Sequence, residues 1–233
     1  NKVFINKQKI TPLRNLNGQI PITIFGPDDL NLIKSGPSIR RNYVDDLLVQ
    51  LHPKNIQTRI DIEQVLKQRN ALLKQARGRL TEDINVTLQV WDEKLHSLSE
   101  VWGQERKSIL KEINTYAEQA YSELSGGNVS LELNYDPPWL EQGLLHVFQQ
   151  VRDDELRRGI TLAGPHRDEI NVFLSGLPAR THASQGEQRT IALSLRIAGH
   201  LLLENVHQTK PLLLLDDVFS ELDSTRAKGL LDL

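Results

Sequence analysis

Four consecutive leucines, Leu212–Leu215, followed directly by Asp216 and Asp217, constrain the fold more than any other stretch of the sequence. A short uninterrupted apolar run that begins after a proline and ends in charge is typical of a strand buried on both faces of a sheet. A helical pattern over residues 186–206 precedes this run. The sequence therefore predicts an α/β fold in which a helix leads into a fully buried strand.

Composition narrows the class of protein. The chain has 233 residues, 39% of them hydrophobic and 25% charged, which suffices for a soluble globular fold of one or two domains. The absence of cysteine excludes disulfides, thiolate zinc sites and cysteine nucleophiles. No stretch approaches the roughly 20 apolar residues that span a bilayer, and no signal pattern begins the chain. We therefore expect a cytoplasmic protein and no membrane partner.

The texture of the sequence changes twice, which predicts three consecutive domains at 1–35, 36–126 and 127–233. The first has short β-branched runs separated by turn residues, the second has helical periodicity and the third alternates strands and helices. Two apolar stripes in the second domain predict two long helices packed as an antiparallel arm, with a further helix at 82–94 in the linker between them. The stripes consist of Val65, Leu66, Leu72, Leu73, Ala76 and Leu80, and of Trp102, Ile109, Ile113, Tyr116, Ala120 and Leu124.

Local patterns predict several further elements. Strands are expected at 129–135, 160–163 and 170–174, and a helix at 144–156. Asp28 or Asp29 is expected to cap a helix that begins near Leu30, and a serine in the turn at 35–38 is expected to cap the next helix.

The leucine run delivers two carboxylates at its C-terminal end, which is the edge where open α/β sheets bind ligands. This is the Walker B arrangement. Asp216 is the candidate Mg²⁺ ligand, because Mg²⁺ prefers oxygen ligands, and Asp217 is the candidate residue that orients or deprotonates an attacking water. The alternative is a strand that simply ends in a solvated turn.

The segment Ser184, Gln185, Gly186, Glu187 and Gln188 opens the preceding helix. A serine hydroxyl and free backbone amides at a helix N-terminus form a corner that binds phosphate. Ser184 and Glu187 also match a capping box, which would stabilise the helix by about 1 kcal/mol without any ligand. Both interpretations remain open at this point.

Taken together, residues 184–188, Asp216-Asp217 and the segment from Ser220 to Asp223 resemble the signature motif, Walker B motif and D-loop of ATP-binding-cassette (ABC) ATPases. Within that class, the chain resembles the SMC-like branch and the RecF family in particular. RecF-like segments occur in RecF order at 25–30, 36–45, 68–70, 164–168 and 183–190, so the resemblance covers nearly the whole chain.

The resemblance implies an ABC-type, SMC-like ATPase head with an inserted antiparallel helical arm. It implies that ATP and Mg²⁺ are the cofactors and that residues 184–188 complete the site of ATP held by a second subunit, with Ser220 and Asp223 at that interface. It further implies an ATP-dependent homodimer on duplex DNA near single-strand gaps, a weak DNA-dependent ATPase activity, a RecR-like partner and loading of RecA, in the bacterial cytoplasm. The alternatives are another SMC-like DNA ATPase and a non-enzymatic helical interaction module.

The Walker A pattern G-x-x-x-x-G-K-[ST] does not occur in the chain. Because that loop cradles the phosphates, and because the chain begins at Asn1 and has no methionine, we expect a piece of a longer protein that binds ATP poorly by itself. The segment 124–128 (LSGGN) is closer in letters to the transporter signature, but its glycines follow a helix and precede a strand. We interpret it as a helix stop.

Five cations and no acid lie between Gln64 and Leu80, and two of them, Lys67 and Lys74, project from the polar face of the predicted helix. The candidate DNA contacts are Lys67, Lys74, Arg77, Arg40 and Arg41, with a solvated helix face as the alternative.

Arg69, His166 and Arg167 suggest other roles, and Arg40 and Arg41 have an alternative one. Arg69 falls within the apolar arc, so a buried ion pair or a domain contact is expected there instead. Arg40 and Arg41 allow either role. His166 and Arg167 lie either near the nucleotide or in a turn held by hydrogen bonds of Asp168.

Overall fold

A computed structural model of the chain describes residues 3–5, 8–10, 21–127 and 129–216. The chain divides into two compact units. Unit 1 comprises Asn1–Pro53, Ser108–Asn134 and Ile170–Leu233, and unit 2 comprises Lys54–Lys107 and Tyr135–Glu169. These boundaries differ from the three consecutive domains expected from the sequence, because each unit is assembled from separated stretches of chain.

The described helices are α1 (Asn31–Lys34), α2 (Pro37–Leu51), α3 (Asn55–Ala76), α4 (Glu82–Ser125), α5 (Pro138–Gln142), α6 (Leu144–Arg158), α7 (Ala179–His182) and α8 (Gln185–His207). The described strands are β1 (Val3–Ile5), β2 (Gln8–Ile10), β3 (Ile22–Phe25), β4 (Leu131–Asn134), β5 (Asn171–Leu174), β6 (Leu177–Pro178) and β7 (Leu212–Leu215). The helices predicted at 144–156 and 186–206 and the strands predicted at 129–135, 170–174 and 211–215 are thereby confirmed.

Three small sheets are present in the described part of unit 1. β1 and β2 form an antiparallel pair, and β4, β5 and β6 form an antiparallel sheet in that order. β3 and β7 are parallel, with Ile22 opposite Leu212 and Phe25 opposite Leu215. Two strands so far apart in sequence therefore end at the same edge, which places the residues that follow them side by side.

The core of unit 1 joins α8 to the parallel strands. Its buried side chains are Phe25, Ala120, Leu124, Leu193 and Ile197, and the half-buried Leu201 and Leu213 pack against them. The expectation that β7 is fully buried was wrong for the described residues: Leu212, Leu214 and Leu215 are 51%, 43% and 37% exposed. Alternate side chains of a strand point to opposite faces, and among the described elements α8 covers only the face on which Leu213 lies.

Unit 2 is helical in its described residues. Leu73 and Ala76 of α3 pack with Leu88 of α4 and Leu156 of α6, which confirms that the first apolar stripe builds a core, although Leu80 lies beyond the end of α3 and is 44% exposed. The prediction of a separate helix at 82–94 was wrong. α4 is one continuous helix of 44 residues, because nothing in its sequence forces a break.

The one glycine in α4 serves close packing rather than a bend. A Cβ at Gly103 would lie 2.5 Å from a Trp139 ring atom and 2.9 Å from a Leu140 methyl, so only glycine permits this approach. α4 ends at Ser125, and Gly126 has a φ of 68° and donates to the carbonyl of Ser122. This geometry supports the interpretation of residues 124–128 as a helix stop.

Two other local predictions were wrong. Residues 160–163 form no strand, because their polar groups bond to side chains instead: Thr161 N donates to Asn70 Oδ1 at 2.7 Å and Leu162 N donates to Glu155 Oε1 at 2.9 Å. No serine caps α2, whose N-cap is Gly36 with Pro37 at the first helical position. Before α1, the residues Pro27–Leu30 form a 3₁₀ turn in which the Asp29 carboxylate accepts a hydrogen bond from Gly26 N.

Candidate functional site

The shared edge of β3 and β7 places Gly26 beside Asp216. Asp216 N donates to the carbonyl of Phe25 at 2.9 Å, and a Cβ built on Gly26 would lie 3.9 Å from Asp216 Cβ. A cavity of about 370 Å³ borders both residues and is also lined by the 3₁₀ turn, α2 and α8. The exposed Asp216 carboxylate therefore stands at the carboxyl end of a parallel pair of strands, as the sequence predicted.

The exposed Asp216 carboxylate is a candidate ligand for a cation at this edge. No group of three or more His, Cys, Asp or Glu side chains that could hold a metal occurs among the described residues. One exposed carboxylate fits Mg²⁺, which commonly binds one or two carboxylates and takes its other ligands from phosphates and water. Asp217, Ser220 and Asp223 lie outside the described residues, and their assigned roles stay predictions.

The N-terminus of α8 has the capping-box geometry predicted from Ser184 and Glu187. Ser184 Oγ accepts from Glu187 N at 3.3 Å, and Ser184 N donates to Glu187 Oε2 at 2.7 Å. Hydrogen bonds from the Ser184 side chain and, secondly, from its backbone hold the pKa of Glu187 below its usual value. The first turn of a 23-residue helix is thus fixed, and Ser184, Gln185 and Gly186 remain exposed to solvent.

Gln188 differs from the other four signature positions because it is buried, with 7% exposure. Its Nε2 donates to the carbonyls of Ala179, Arg180 and Ala183, at 3.4, 3.3 and 3.1 Å. Its Oε1 has no hydrogen-bond partner among the described residues. The side chain therefore ties α7 and the loop after it to the first turn of α8, and only Oε1 remains for a further contact.

The candidate DNA contacts divide into two groups. Lys67, Lys74 and Arg77 are exposed on α3 and at its C-terminal end. Arg40 was wrongly included: it is 7% exposed, and its guanidinium donates to the carbonyls of Ile170, Leu32 and Ser35 at 2.7, 3.1 and 3.1 Å. Three backbone acceptors hold it as a structural link, whereas Arg41 is half-buried.

Arg69 makes the buried ion pair that its place in the apolar arc predicted. The side chain is fully buried, its Nε donates to Asp92 at 2.8 Å and its NH2 to Glu155 at 2.6 Å. NH1 donates to Thr161 at 2.8 Å, and the guanidinium carbon lies 4.1 Å from the centroid of the Phe148 ring. Each of the three guanidinium nitrogens is satisfied, so Arg69 contributes to the fold of unit 2 and not to a DNA surface.

Asp168 anchors the turn that contains His166 and Arg167. Its carboxylate accepts from Tyr135 Oη at 2.6 Å, from Trp139 Nε1 at 2.7 Å and from Arg106 NH1 at 3.3 Å. Burial first, and the neighbouring Asp168 charge second, raise the pKa of the Tyr135 hydroxyl above its ordinary value. The alternative of a turn held by Asp168 is therefore confirmed.

The two side chains before Asp168 bond within the same turn region. His166 Nε2 and Arg167 Nε both lie 3.2 Å from the carbonyl of Thr161. These contacts lie within unit 2.

One ionic contact near the site has no clear sequence signal. Arg196 Nε on α8 donates to Asp29 Oδ1 at 2.7 Å, across 167 positions of sequence. A single charged residue within the mostly apolar run Ile191–Ala198 indicates that a partner is needed, but nothing in the sequence identifies Asp29 as that partner.

No helix in the described part of the chain is long and apolar enough to cross a membrane.

Known proteins resemble the chain over almost its full length. It is 35% identical over 242 residues to the DNA replication and repair protein RecF of Acidothermus cellulolyticus, which covers 99% of this chain and 65% of the relative. RecF of Renibacterium salmoninarum is 35% identical over 267 residues, and the match covers 99% of this chain and 67% of the relative. RecF of Lactobacillus delbrueckii is 37% identical over 240 residues, and the match covers 98% of this chain and 63% of the relative. The chain thus spans about two thirds of the length of these curated relatives. No protein-family model matches it.

Solved structures give the same result. Two structures of the recombination mediator protein RecF in the RecFOR pathway, one titled RecF-ATP and the other RecF-ATPrS, superpose with TM-scores of 0.89 and 0.88 at 29% identity. Each match covers 99% of this chain and 64% of the solved RecF chain. This similarity confirms the expected fold class, an α/β head of the ABC, SMC-like kind with an inserted helical domain.

Proposed function

Because the chain belongs to the RecF family of DNA replication and repair proteins, we propose that it is the part of an ATP-driven, DNA-binding dimer that completes one nucleotide site in its own subunit and one in its partner. The observation that carries the proposal is the presence, in unit 1, of both an exposed helix N-terminus at Ser184–Gly186 and an exposed acid, Asp216, at the ends of two parallel strands.

The division of labour follows from the chemistry of each element. Asp216 offers an oxygen ligand to Mg²⁺ that accompanies ATP in the same subunit, and Asp217 follows it as the acid that orients or deprotonates the attacking water. The backbone amides of Gln185 and Gly186 and the Ser184 hydroxyl lie at the positive end of the α8 dipole, which suits the γ-phosphate of ATP held by the second subunit. ATP bound between the two surfaces joins the subunits, and its hydrolysis lets the subunits separate. Ser220 and Asp223 are assigned to the same interface.

The capping box orders this corner before an anion binds. Ser184 N and Glu187 N are already used by the box, so the first turn of α8 is held in one conformation before any ligand arrives. A pre-ordered site loses less entropy on binding. The carboxylate of Glu187 points back to Ser184, and the amide of Gly186 remains in the exposed first turn.

We assign DNA binding to the exposed end of α3. Lys67, Lys74 and Arg77 lie there, and Gly159 packs against Lys74, since a Cβ at Gly159 would lie 3.0 Å from Lys74 Cγ. That contact brings Arg158, exposed at the end of α6, to the same part of unit 2. These cations would follow a duplex phosphate backbone near a single-strand gap. The proposed repair function also includes a RecR-like partner and the loading of RecA.

The dimer is tested by ATP-dependent association of the intact protein. Ser184→Arg places a long cation where the γ-phosphate would approach, while Ser184→Ala removes the hydroxyl alone and is the matched control. Light scattering should detect ATP-dependent dimers for the wild type, fewer for Ser184→Ala and none for Ser184→Arg. Equal dimer formation by Ser184→Arg and the wild type would contradict the proposal and favour a non-enzymatic interaction module.

The DNA assignment is tested by charge reversal on α3. The double change Lys67→Glu and Lys74→Glu should weaken duplex binding and lower the dependence of log Kd on log salt by about 2, because roughly one counterion is released per phosphate contact. Arg59→Glu on the same helix, where Arg59 pairs with Glu63, is the matched control. An unchanged salt slope for the double variant would place the DNA elsewhere.

A further inference from the structure

Arg196 connects two parts of the candidate site. It lies on α8, 12 residues after Ser184, which corresponds to about 18 Å along the helix axis. Its Nε donates to Asp29 Oδ1 at 2.7 Å, with side chains that are 29% and 16% exposed. The helix whose N-terminus would meet a partner's ATP is therefore joined by a charge-assisted hydrogen bond to the 3₁₀ turn that follows β3.

The same carboxylate reaches the position beside Asp216. Asp29 Oδ2 accepts from Gly26 N at 3.0 Å, and the preceding residue, Phe25, accepts from Asp216 N at 2.9 Å. Asp29 thus holds α8 with one oxygen and the turn at the end of β3 with the other. Asp29, with one oxygen bonded to each side, is therefore in a position to pass a displacement of α8 to the turn beside Asp216.

Tyr43 restricts the position of Arg196. The guanidinium carbon lies 5.2 Å from the centroid of the Tyr43 ring, and the Tyr43 hydroxyl donates to the carbonyl of Leu195, the neighbour of Arg196 on α8. Burial raises the pKa of this hydroxyl above its ordinary value, so it remains a protonated donor. Because the Arg196 guanidinium lies over the face of the Tyr43 ring, it has little freedom to leave Asp29 while α8 stays in place.

We propose that Arg196 and Asp29 are positioning residues that couple engagement of Ser184–Gly186 with a partner's ATP to the placement of Asp216 at the subunit's own ATP. The proposal rests on the function proposed above. It assigns neither residue a contact with nucleotide. The coupling would make hydrolysis at the subunit's own ATP depend on whether the N-terminus of its α8 is bound to the partner's ATP.

A purely structural link is the alternative, and the chain contains a matched example of one. His200 lies one helical turn after Arg196 on α8, and its Nδ1 is 3.0 Å from Thr23 Oγ1 on β3. This contact joins the same helix to the same strand but ends three residues before Gly26. Thr23→Val removes the hydroxyl at nearly constant volume and therefore breaks a link between α8 and β3 without touching the turn beside Asp216.

The experiment compares steady-state ATP hydrolysis and urea unfolding of intact Asp29→Asn, Arg196→Met, the double variant and Thr23→Val. Asp29→Asn keeps an oxygen for Gly26 N and loses the ionic contact, and Arg196→Met keeps the stem against Tyr43. We expect each single change to lower kcat about fivefold to tenfold with KM for ATP within about twofold, and the double change to be no worse than either. Arg196→Lys should recover part of kcat, and Thr23→Val should lower stability but leave kcat unchanged.

Two results overturn the coupling in distinguishable ways. If Asp29→Asn and Arg196→Met lose only stability, as Thr23→Val does, the link is structural and the proposed function stands, provided that Ser184→Arg still abolishes ATP-dependent dimers. If Ser184→Arg dimerises with ATP like the wild type, the proposed function fails and the coupling fails with it.

Discussion

Each unit contains an arginine that pairs with carboxylate, and the two arginines differ in burial and in the number of their partners. In unit 2, Arg69 is wholly enclosed, bonds to two carboxylates and a threonine hydroxyl, and lies over an aromatic ring. In unit 1, Arg196 has one carboxylate partner and keeps 29% of its side chain exposed. A fully satisfied buried guanidinium permits one arrangement of its helices, whereas a single partly exposed contact can shift with the helix that carries it.

The difference teaches where each unit is built to be rigid. Asp92 also pairs with Arg152, so α3, α4 and α6 share one network of charges in unit 2. The contact of Arg196 instead joins α8 to a short turn at the edge of a sheet. We expect mutations in the first network to change stability, and mutations in the second to change activity more than stability.

The largest effect is expected from Arg69→Met. Removing the guanidinium leaves the buried carboxylates of Asp92 and Glu155 without their main counter-charge, so the free energy of unfolding should fall by about 3–5 kcal/mol. Arg59→Met on the same helix removes a partly exposed pair with Glu63 and should cost less than about 1 kcal/mol. Urea unfolding measures both, and similar losses for the two variants would end the distinction between the units.

A smaller loss is expected at the second charged cluster of unit 2. Asp168→Asn removes the charge that accepts from Tyr135, Trp139 and Arg106 and should cost about 2–4 kcal/mol. Tyr135→Phe removes one of these donors and should cost about 1 kcal/mol. Asp136→Asn, at an exposed pair with Lys107, is the control and should leave the unfolding midpoint unchanged. A loss for Asp168→Asn no greater than that of the control would show that the cluster adds no stability.

In unit 1, Arg196→Met should lower the free energy of unfolding by only about 1 kcal/mol, because partly exposed ion pairs contribute little. The comparison with Arg69→Met is direct, since both changes replace an arginine on a long helix with the same side chain. A loss at Arg196 as large as that at Arg69 would mean that the exposed contact is as rigid as the buried one.

The smallest effect is expected from His200. Burial lowers the pKa of its imidazole below the usual value of 6.5, Glu204 opposes this shift and Lys210 adds to it. The unfolded chain therefore takes up a proton at a higher pH than the folded chain, and stability should rise with pH through the window just below about 6.5 and level off above it. His200→Asn should flatten this rise in urea unfolding measured from about pH 5 to about pH 8. A pH profile identical to the wild type would contradict the assignment.

Much of the candidate site could be predicted from local sequence. The capping box depends on two residues three positions apart, and the β7 strand ending in Asp216 depends on a contiguous apolar run, so neither needs tertiary information. The buried ion pair of Arg69 could also be predicted, because a cation within an apolar arc requires a partner. The identity of its partners was not, since Asp92 and Glu155 are 23 and 86 positions away.

Two of the wrong predictions share a physical cause. Residues 160–163 have a strand-like pattern, but side chains of Asn70 and Glu155 take the backbone donors that a sheet would have used. Arg40 looks like a surface cation beside Arg41, yet it donates to two carbonyls at α1 and to the distant carbonyl of Ile170. In each case a distant polar group decides the outcome, and local periodicity carries no information about it.

The most direct test of the central claim is subunit complementation with intact protein. Ser184→Arg should abolish ATP hydrolysis by spoiling the surface offered to the partner, and Asp216→Asn by spoiling the subunit's own site. In a mixed dimer, however, the intact Asp216 of one subunit meets the intact Ser184 of the other, so an equimolar mixture should recover at most about a quarter of wild-type activity from its hybrid dimers. The proposed coupling should lower this recovered activity by a further factor of about five to ten, because the intact site belongs to the subunit whose own α8 carries the Ser184→Arg change. A mixture that stays as inactive as its two components would contradict the division of labour between Ser184 and Asp216.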